Sequence, residues 1–259
     1  MIEQRIVQRI AWVTGAGKGI GRQLALELAK DGWLVAASAR TESDLNRLVN
    51  DAAAFEGAIK AYPVDVTSEQ KIKELIHEIE ISLGEIDLAI LNAGTYIRFG
   101  AAEFTVNKFY TQWNVNVMGT INCFVYIMEK MKTRKSGHVV VVSSLSAYRG
   151  IPMASGYGAS KAALTNMCEA LKPELEQFGI KLSVVHPGFV RTPLTSRNKF
   201  PMPFLMEVDV AARRIIKGIK KDKFEIAFPM PFAIFMKVIR RLPYPIYFAM
   251  TRRLLKQRK

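Results

Sequence analysis

The sequence predicts an α/β fold in which one parallel sheet is covered by helices on both faces. Short runs rich in β-branched residues alternate with longer amphipathic stretches, and this alternation is typical of right-handed strand–helix–strand crossovers. The run of valines at 139–142 has no polar alternation, which indicates a strand that is buried on both faces. A chain of 259 residues is also long enough to bury one sizeable core.

The elements are expected in a regular order along the chain. Seven candidate strands lie at 10–14, 33–39, 59–64, 86–92, 138–143, 181–186 and 224–228. Six candidate helices lie at 22–31, 43–55, 69–83, 104–131, 160–178 and 208–220. A long surface loop is expected at 188–203, because this stretch has three prolines and no hydrophobic period. We therefore expect one α/β domain over residues 1–228 and a C-terminal extension over residues 229–259.

Composition excludes several classes of protein. Hydrophobic residues make up 49% and charged residues 23% of the chain, which is ordinary for a globular protein. The only two cysteines, Cys123 and Cys168, do not make a disulfide framework, and no Cys/His cluster has metal-ligand spacing, so we expect buried thiols and no metal site. Residues 1–10 lack the apolar core of a secretory signal, so a cytoplasmic location is expected.

The positive charge is concentrated at one end of the chain. The formal net charge is +14, and the segment 229–259 contains eight basic residues and no acidic residue. A cationic tail without a recognised module gives only nonspecific, salt-sensitive binding to nucleic acid. We therefore expect no specific nucleic-acid partner.

A glycine-rich turn follows the first predicted strand and precedes the first predicted helix. Its glycines let the backbone approach a pyrophosphate, which is favoured at a helix N-terminus. The pattern T-G-x-x-x-G-x-G predicts a dinucleotide site, and a glycine-rich turn without a ligand is the alternative. The candidate cofactor contacts in this turn are Gly15, Gly17, Lys18, Gly19, Ile20 and Gly21.

Charge at the end of the second strand favours NADP(H) over NAD. The sequence there reads Ser-Ala-Arg, without the acid that hydrogen-bonds a ribose 2′-OH, and Arg40 together with Lys18 suits a 2′-phosphate. The alternative is a solvated loop lysine and an arginine at the start of a helix. Asp65, with Val66 beside it, is a candidate to accept a hydrogen bond from the adenine amine. The alternative is that Asp65 is structural and heads the turn before Thr67.

Tyr157 and Lys161 are four residues apart, one turn apart on a helix. A phenol has a pKa of about 10, and moving it down by about three units requires roughly 4 kcal/mol of differential stabilisation. The Lys161 ammonium and a cationic nicotinamide ring are expected to supply that together. Alone, such a pair is most often an exposed helix pair.

The combination of motifs is more specific than any one of them. In chain order they are the glycine turn, Asn92-Ala93-Gly94, Ser144, the Tyr157–Lys161 pair and His186-Pro187-Gly188. Together they resemble the short-chain dehydrogenase/reductase family, over residues 9–192. The resemblance implies a single-domain Rossmann fold with a doubly wound, seven-stranded parallel sheet. It also implies a nicotinamide cofactor, hydride transfer between a carbonyl and an alcohol, and a homodimer or homotetramer.

The resemblance also implies roles for particular residues. Tyr157 matches the general acid/base, and Lys161 matches the residue that lowers its pKa and holds the nicotinamide ribose. Ser144 matches the serine that binds the substrate oxygen, and Asn116 matches the anchor of a proton-relay water. Ser143 is a less suitable candidate than Ser144 for the first role, and Asn114 is less suitable than Asn116 for the second. His186 is expected to be structural. The remaining candidate cofactor contacts are Asn92, Ala93, Gly94, Pro187, Gly188, Val190 and Thr192.

The extension mixes aromatic residues with arginines and prolines, and no run approaches the roughly 20 apolar residues of a spanning helix. A short helix is expected up to the break at 243–245, and a second at 246–255. The composition favours a segment that lies in a bilayer interface; a tail packed on a neighbouring subunit or over the substrate cleft is the alternative.

These features predict an NADPH-dependent reductase of a bulky, apolar or lipid-like ketone, at the cytoplasmic face of a membrane. The substrate pocket is expected from residues 95–102, 145–154 and 188–206. A soluble 3-oxoacyl-thioester or small-carbonyl reductase is a second hypothesis. A non-catalytic NADP-sensing protein is a third.

Overall fold

The computed structural model describes residues 8–196, 198 and 200–256. The strands are β1 Ile10–Thr14, β2 Leu34–Ala39, β3 Ala58–Pro63, β4 Leu88–Leu91, β5 Gly137–Val142, β6 Ile180–Pro187 and β7 Glu225–Phe228. The α-helices are α1 Gly19–Lys30, α2 Glu42–Asp51, α3 Glu69–Ser82, α4 Val106–Trp113, α5 Gly119–Arg134, α6 Ser155–Glu176, α7 Val208–Ile219, α8 Met230–Arg241 and α9 Tyr244–Lys256. Three predicted regions lie partly outside the described residues. They are most of the N-terminal segment on which the cytoplasmic location was predicted, two residues of the loop expected at 188–203, and the last three residues of the extension.

All seven strands form one parallel sheet, in the order β3-β2-β1-β4-β5-β6-β7. This confirms the predicted doubly wound Rossmann-type sheet. The chain reverses its direction of travel across the sheet between β1 and β4, which pair directly with Val13 opposite Ile90. In such a sheet the carboxyl ends of these strands open onto a crevice where ligands bind.

Two cores hold the helices against the sheet. On one face α1, α2 and α7 pack on the strands, with Leu24 and Ile215 fully buried. On the other face α3, α5 and α6 cover the sheet around Trp12. Both cysteines, Cys123 and Cys168, are buried free thiols in this second core, as expected.

The helix expected at 104–131 is not continuous. A short 3₁₀ turn and α4 are followed by a π-helical segment, Asn114–Met118, and only then by α5. A π turn inserts one extra residue into the helix, so periodicity alone does not reveal it. The helix expected at 160–178 begins earlier than predicted, at Ser155, so Tyr157 lies in the first turn of α6.

The extension folds as two helices on a third, smaller core. α8 ends before the predicted proline break, but α9 begins already at Tyr244, because Pro245 lies in its first turn, where a proline is tolerated. The buried members of this core are Leu145, Tyr148, Ala233, Met236, Ile239 and Tyr247. Within the described residues, no helix is long and apolar enough to cross a membrane.

Candidate active site

The glycine turn lies at the crevice, between β1 and α1. Gly15 adopts the left-handed conformation with φ +66°, and a Cβ there would lie 2.8 Å from the Ala93 Cα. A Cβ at Gly21 would overlap the Gly15 carbonyl oxygen. Both positions therefore require glycine.

Asn92 and Ala93 hold the ends of β1 and β4 together. The Thr14 hydroxyl accepts hydrogen bonds from the amides of Asn92, at 3.0 Å, and of Ala93, at 3.1 Å. The Asn92 side chain donates to the Thr14 carbonyl oxygen at 3.1 Å. This bracing fixes the shape of the glycine turn, so the predicted cofactor contact Asn92 has a structural function as well.

The N-terminus of α1 carries no side-chain cap. The residue before the helix is Lys18, whose side chain makes no capping hydrogen bond. Amides in the first turn of a helix have no partner within the helix and carry partial positive charge. The turn from Gly15 to Gly21 therefore offers donors for an anion at the crevice.

A cleft of about 450 Å³ lies beside the turn and is lined by Lys18, Arg22, Asp44 and Arg47, among others. The Lys18 ammonium is 3.1 Å from the buried Asp44 carboxylate, which also pairs with Arg47. These cations, Lys18 first, hold the pKa of Asp44 below its usual value. The sequence analysis did not identify Asp44 and Arg47 as residues of this cleft. Their i,i+3 spacing after the second strand, which is typical of an ion pair on a helix, was the available signal.

Arg40 and Asp65 lie at the ends of β2 and β3. The Arg40 side chain is 73% exposed, and its Nη1 is 3.9 Å from Asp65 Oδ2. Asp65 Oδ1 accepts hydrogen bonds from the Thr67 amide at 3.0 Å and hydroxyl at 2.9 Å. Asp65 therefore heads a turn, which was the structural alternative, and only Oδ2 faces Arg40. The neighbouring Val66 is buried.

The hydroxyls of Ser144 and Tyr157 and the ammonium of Lys161 meet at the start of α6. The Ser144 hydroxyl hydrogen-bonds the Tyr157 hydroxyl. Lys161 is 4% exposed, and its Nζ donates to the Val142 carbonyl oxygen at 2.8 Å. It lies 5.8 Å from the centre of the Tyr157 ring.

Burial dominates the titration of both α6 side chains. It lowers the pKa of Lys161 to about 8. It raises the pKa of Tyr157 to about 12, although the Ser144 hydrogen bond acts in the opposite direction. Lys161 is not among the groups that lower the Tyr157 pKa. The protein groups therefore keep the phenol protonated at neutral pH.

Ser143 points away from this site, as strand alternation predicts. Its hydroxyl donates to the Lys161 carbonyl oxygen at 2.9 Å and lies 2.9 Å from the Thr165 hydroxyl. The Thr165 hydroxyl in turn hydrogen-bonds His186 Nε2 at 3.1 Å. Burial lowers the pKa of His186 to about 4. His186 is thus a neutral side chain in a buried network behind Lys161.

Asn116 lies in the π-helical segment and is fully buried. Its Oδ1 accepts from the Thr95 amide at 2.7 Å, while Nδ2 donates to the Thr95 carbonyl at 3.0 Å and to the Ser160 hydroxyl at 2.9 Å. A Cβ at Gly94 would lie 3.2 Å from Asn116 Oδ1 and 3.5 Å from Lys161 Nζ. The side chain of Asn116 therefore joins the loop after β4 to α6. Asn114, the competing candidate, takes no part in these three hydrogen bonds.

The segment after β6 returns to the glycine turn. β6 ends at Pro187, and the Gly188 amide donates to the Phe228 carbonyl at 2.7 Å. Val190 is buried and bridges to Met206. The Thr192 methyl group would lie 3.2 Å from a Cβ at Gly19, so Thr192 packs over the start of α1. Thr192 thus brings the segment after β6 to the glycine turn.

Aromatic side chains extend from the site toward the extension. The Tyr96 ring packs edge-on against Tyr157, with centroids 5.1 Å apart. Further along, Phe232 of α8 contacts two residues of the loop after β6, Phe189 at 5.8 Å and Phe204 at 6.2 Å between centroids. The loop expected at 188–203 and α8 therefore share one aromatic surface.

Comparisons with known proteins identify the family. The family model for short chain dehydrogenases matches residues 9–201. An uncharacterized oxidoreductase from Myxococcus xanthus strain DK1622 is 36% identical over 246 residues, which are 95% of this chain and 97% of that protein. The chain therefore belongs to the short-chain dehydrogenase family and is an oxidoreductase, as the motifs predicted.

Solved structures agree with this assignment. The structure of ElxO with NADP bound is 27% identical, with a TM-score of 0.77 over 85% of this chain and 97% of that one. A short-chain dehydrogenase from Streptomyces avermitilis is 25% identical, with a TM-score of 0.79 over 96% of this chain and 95% of that one.

Proposed function

We propose that this protein is an NADPH-dependent reductase that converts a ketone or another carbonyl compound to an alcohol. The observation that carries the proposal is the Tyr157 hydroxyl, protonated and hydrogen-bonded to Ser144, at a crevice with an uncapped helix N-terminus. When bound, the cofactor supplies the hydride.

The residues of the crevice suit a phosphorylated dinucleotide. The glycine turn and the first turn of α1 offer backbone amides for the pyrophosphate. Lys18 and Arg40 would hold the 2′-phosphate, and Arg47 adds a cation beside Lys18 on the cleft. Asp65 and Val66 are the proposed contacts at the adenine end of the site. The other proposed contacts are Asn92, Ala93, Gly94, Tyr157, Lys161, Pro187, Gly188, Val190 and Thr192.

The side chains of α6 and the loop before it supply the proton chemistry. Reduction of a carbonyl requires a proton at its oxygen, and Tyr157 carries one at neutral pH, since a phenol has a pKa well above 7. The Ser144 Oγ accepts from the Ser146 amide at 3.2 Å, so the Ser144 hydroxyl is held beside Tyr157, where its hydrogen would donate to the substrate oxygen. Lys161 would hold the nicotinamide ribose, and its effect on the Tyr157 pKa stays a prediction. Asn116 holds the loop that carries Thr95, and its relay role stays a prediction.

Replacing Tyr157 by phenylalanine tests this chemistry. We expect Y157F to lower kcat for NADPH-dependent ketone reduction by about 10²–10⁴-fold, because it removes the proton donor. The Kd for NADPH should stay within about twofold, since the ring remains. The measurement is NADPH absorbance with a panel of ketones graded by chain length.

The exposed Tyr110 of α4 provides a matched control, Y110F, which should behave like the wild type. Full activity of Y157F would contradict the proposed role. A wild-type protein that binds NADPH but reduces nothing on the panel would favour the NADP-sensing hypothesis.

Cofactor preference tests the proposed contacts of Lys18 and Arg40 with the 2′-phosphate. We expect K18A and R40A each to lower kcat/KM with NADPH by about 10-fold or more, because a charge-assisted hydrogen bond to phosphate is lost. The same variants should change kcat/KM with NADH by less than about twofold. Equal losses with both cofactors would remove the proposed 2′-phosphate site.

The aromatic surface shared by the loop and α8 favours a bulky, apolar substrate. Phe189, Phe200 and Phe204 come from the loop, and Phe232 comes from α8. A 3-oxoacyl thioester or a small carbonyl remains the second candidate, since Ser144 and Tyr157 serve any carbonyl equally. Activity that rises with chain length on the panel supports the first candidate.

We also propose that the extension makes a peripheral contact with a membrane. The inner face of α8 is buried in the third core, while its outer face is apolar and exposed. Arg240 and Arg241 are exposed at the end of the same helix. An apolar helix face with cations beside it suits an interface that contains anionic lipid. The exposed apolar residues of α8 are Met230, Ile234, Phe235 and Val238.

Vesicle flotation of the full chain tests this contact. We expect co-flotation with phosphatidylcholine vesicles that contain phosphatidylserine, and loss of it when Ile234, Phe235 and Val238 are all replaced by serine. Substitution is preferable to truncation, because the other face of α8 packs on the loop that carries Ser144. The exposed Val106 of α4 gives the control V106S. Equal flotation of the triple variant and the wild type would contradict the contact.

The oligomeric state stays a prediction of the resemblance.

A further inference from the structure

We infer that the C-terminal helices α8 and α9 position the catalytic loop, and that Arg149 is the positioning residue through which they act. The catalytic loop is the segment from Ser144 to Gly150, which leads from β5 toward α6. This inference rests on the proposed function, because it assigns α8 and α9 a role at the same site.

The catalytic loop is internally tied to Ser144. The Ala147 amide donates to the Ser144 carbonyl at 3.0 Å, and the Tyr148 amide donates to the Leu145 carbonyl at 3.2 Å. The Ser146 amide donates to the Ser144 hydroxyl oxygen at 3.2 Å. A shift at the far end of this 3₁₀ turn is therefore transmitted to the Ser144 hydroxyl.

The apolar packing of the loop comes from α8 and α9. The buried loop residues Leu145 and Tyr148 belong to the third core and not to either core on the sheet. Their buried partners there are Ala233, Met236 and Ile239 of α8 and Tyr247 of α9. The position of the loop therefore depends on these helices as well as on α6 and β6, which the 3₁₀ turn also contacts.

Arg149 joins the loop to the end of α8. Its Nη1 donates to the Arg240 carbonyl at 3.2 Å, and its Nη2 donates to the Leu242 carbonyl at 3.3 Å. The last carbonyls of a helix lack partners within the helix and carry partial negative charge, so they favour a cation. One guanidinium thus satisfies two carbonyls that α8 leaves open.

The same guanidinium lies between two rings of α9. Its Cζ is 4.6 Å from the ring centroid of Tyr244 and 4.5 Å from that of Tyr247, within the range of cation–π attraction. The Tyr247 hydroxyl donates to the Gly150 carbonyl, the next residue of the loop. Arg149 is therefore the point where the loop meets both helices.

The residue before Arg149 adds a third attachment. The Tyr148 hydroxyl donates to Glu225 of β7, and Lys237 of α8 pairs with the same carboxylate. Tyr148 also stacks on His186, with centroids 4.8 Å apart. Each of the three consecutive loop residues from Tyr148 to Gly150 is thus held by its own contact. The contacts of Arg149 involve both α8 and α9.

The test compares R149M with the wild type and with R149K in the full-length protein. We expect R149M to lower kcat by about 10-fold or more, because a small displacement of Ser144 misaligns the reacting groups. The Kd for NADPH should stay within about twofold. R149K should recover part of the loss, because it keeps a cation between the tyrosine rings. The exposed Arg214 of α7 provides the control R214M, which should retain wild-type kcat.

A double-mutant cycle separates positioning from a general loss of structure. If Arg149 acts through Ser144, R149M should lower kcat much less in an S144A background than in the wild type. An equal loss in both backgrounds, or wild-type kcat in R149M, would overturn the inference.

Hydrogen exchange gives a readout that does not need turnover. Amides of residues 145–150 should exchange faster in R149M, while those in the middle of α6 stay unchanged. Unchanged exchange in the loop would overturn the inference even if kcat falls. If the wild type neither binds nor oxidises NADPH, the proposed function fails, and the exchange data still decide whether Arg149 holds the loop.

Discussion

The arrangement of the site depends on the Lys161 ammonium, which is buried at the carboxyl edge of the sheet. Its hydrogen bond to the Val142 carbonyl, at 2.8 Å, ties α6 to the end of β5. Burial of a cation is costly, and here it lowers the lysine pKa to about 8. Gly94 leaves room for this contact, since a Cβ there would lie 3.5 Å from Nζ. Tyr157, one turn earlier on the same helix, is thereby placed beside Ser144. The chain keeps a destabilising charge where the proposed reaction requires one.

Features that depend on neighbouring residues in the chain were predictable from the sequence. The parallel sheet follows from apolar runs separated by amphipathic stretches, and the glycine turn follows from its spacing. Strand alternation also separated Ser144 from Ser143, and the structure places their hydroxyls in different networks. The location of Tyr157 and Lys161 on one helix needed only their four-residue spacing.

Features that depend on contacts distant in sequence were not predictable. The π-helical segment places Asn116 against Thr95 and Ser160, and no periodic pattern encodes that extra residue. The burial that raises the Tyr157 pKa also comes from packing, and the four-residue spacing to Lys161 does not encode it. The composition of the extension predicts a membrane segment, with a tail on a neighbouring subunit or over the substrate cleft as the alternative. Its packing on the catalytic loop required partners 91 and 93 residues away from Arg149.

Replacing Lys161 by methionine and measuring the free energy of unfolding tests the central claim most directly. The folded pKa, about 8, is below the ordinary 10.5, so the cost of the buried charge is complete below pH 8 and disappears toward pH 10.5. At pH 7 we expect K161M to be more stable than the wild type by on the order of 2 kcal/mol, even though the Val142 carbonyl loses its donor. That advantage should shrink by about pH 10, and the affinity for NADPH should fall at both pH values. A variant that is no more stable than the wild type at pH 7, and binds NADPH equally well, would contradict this account.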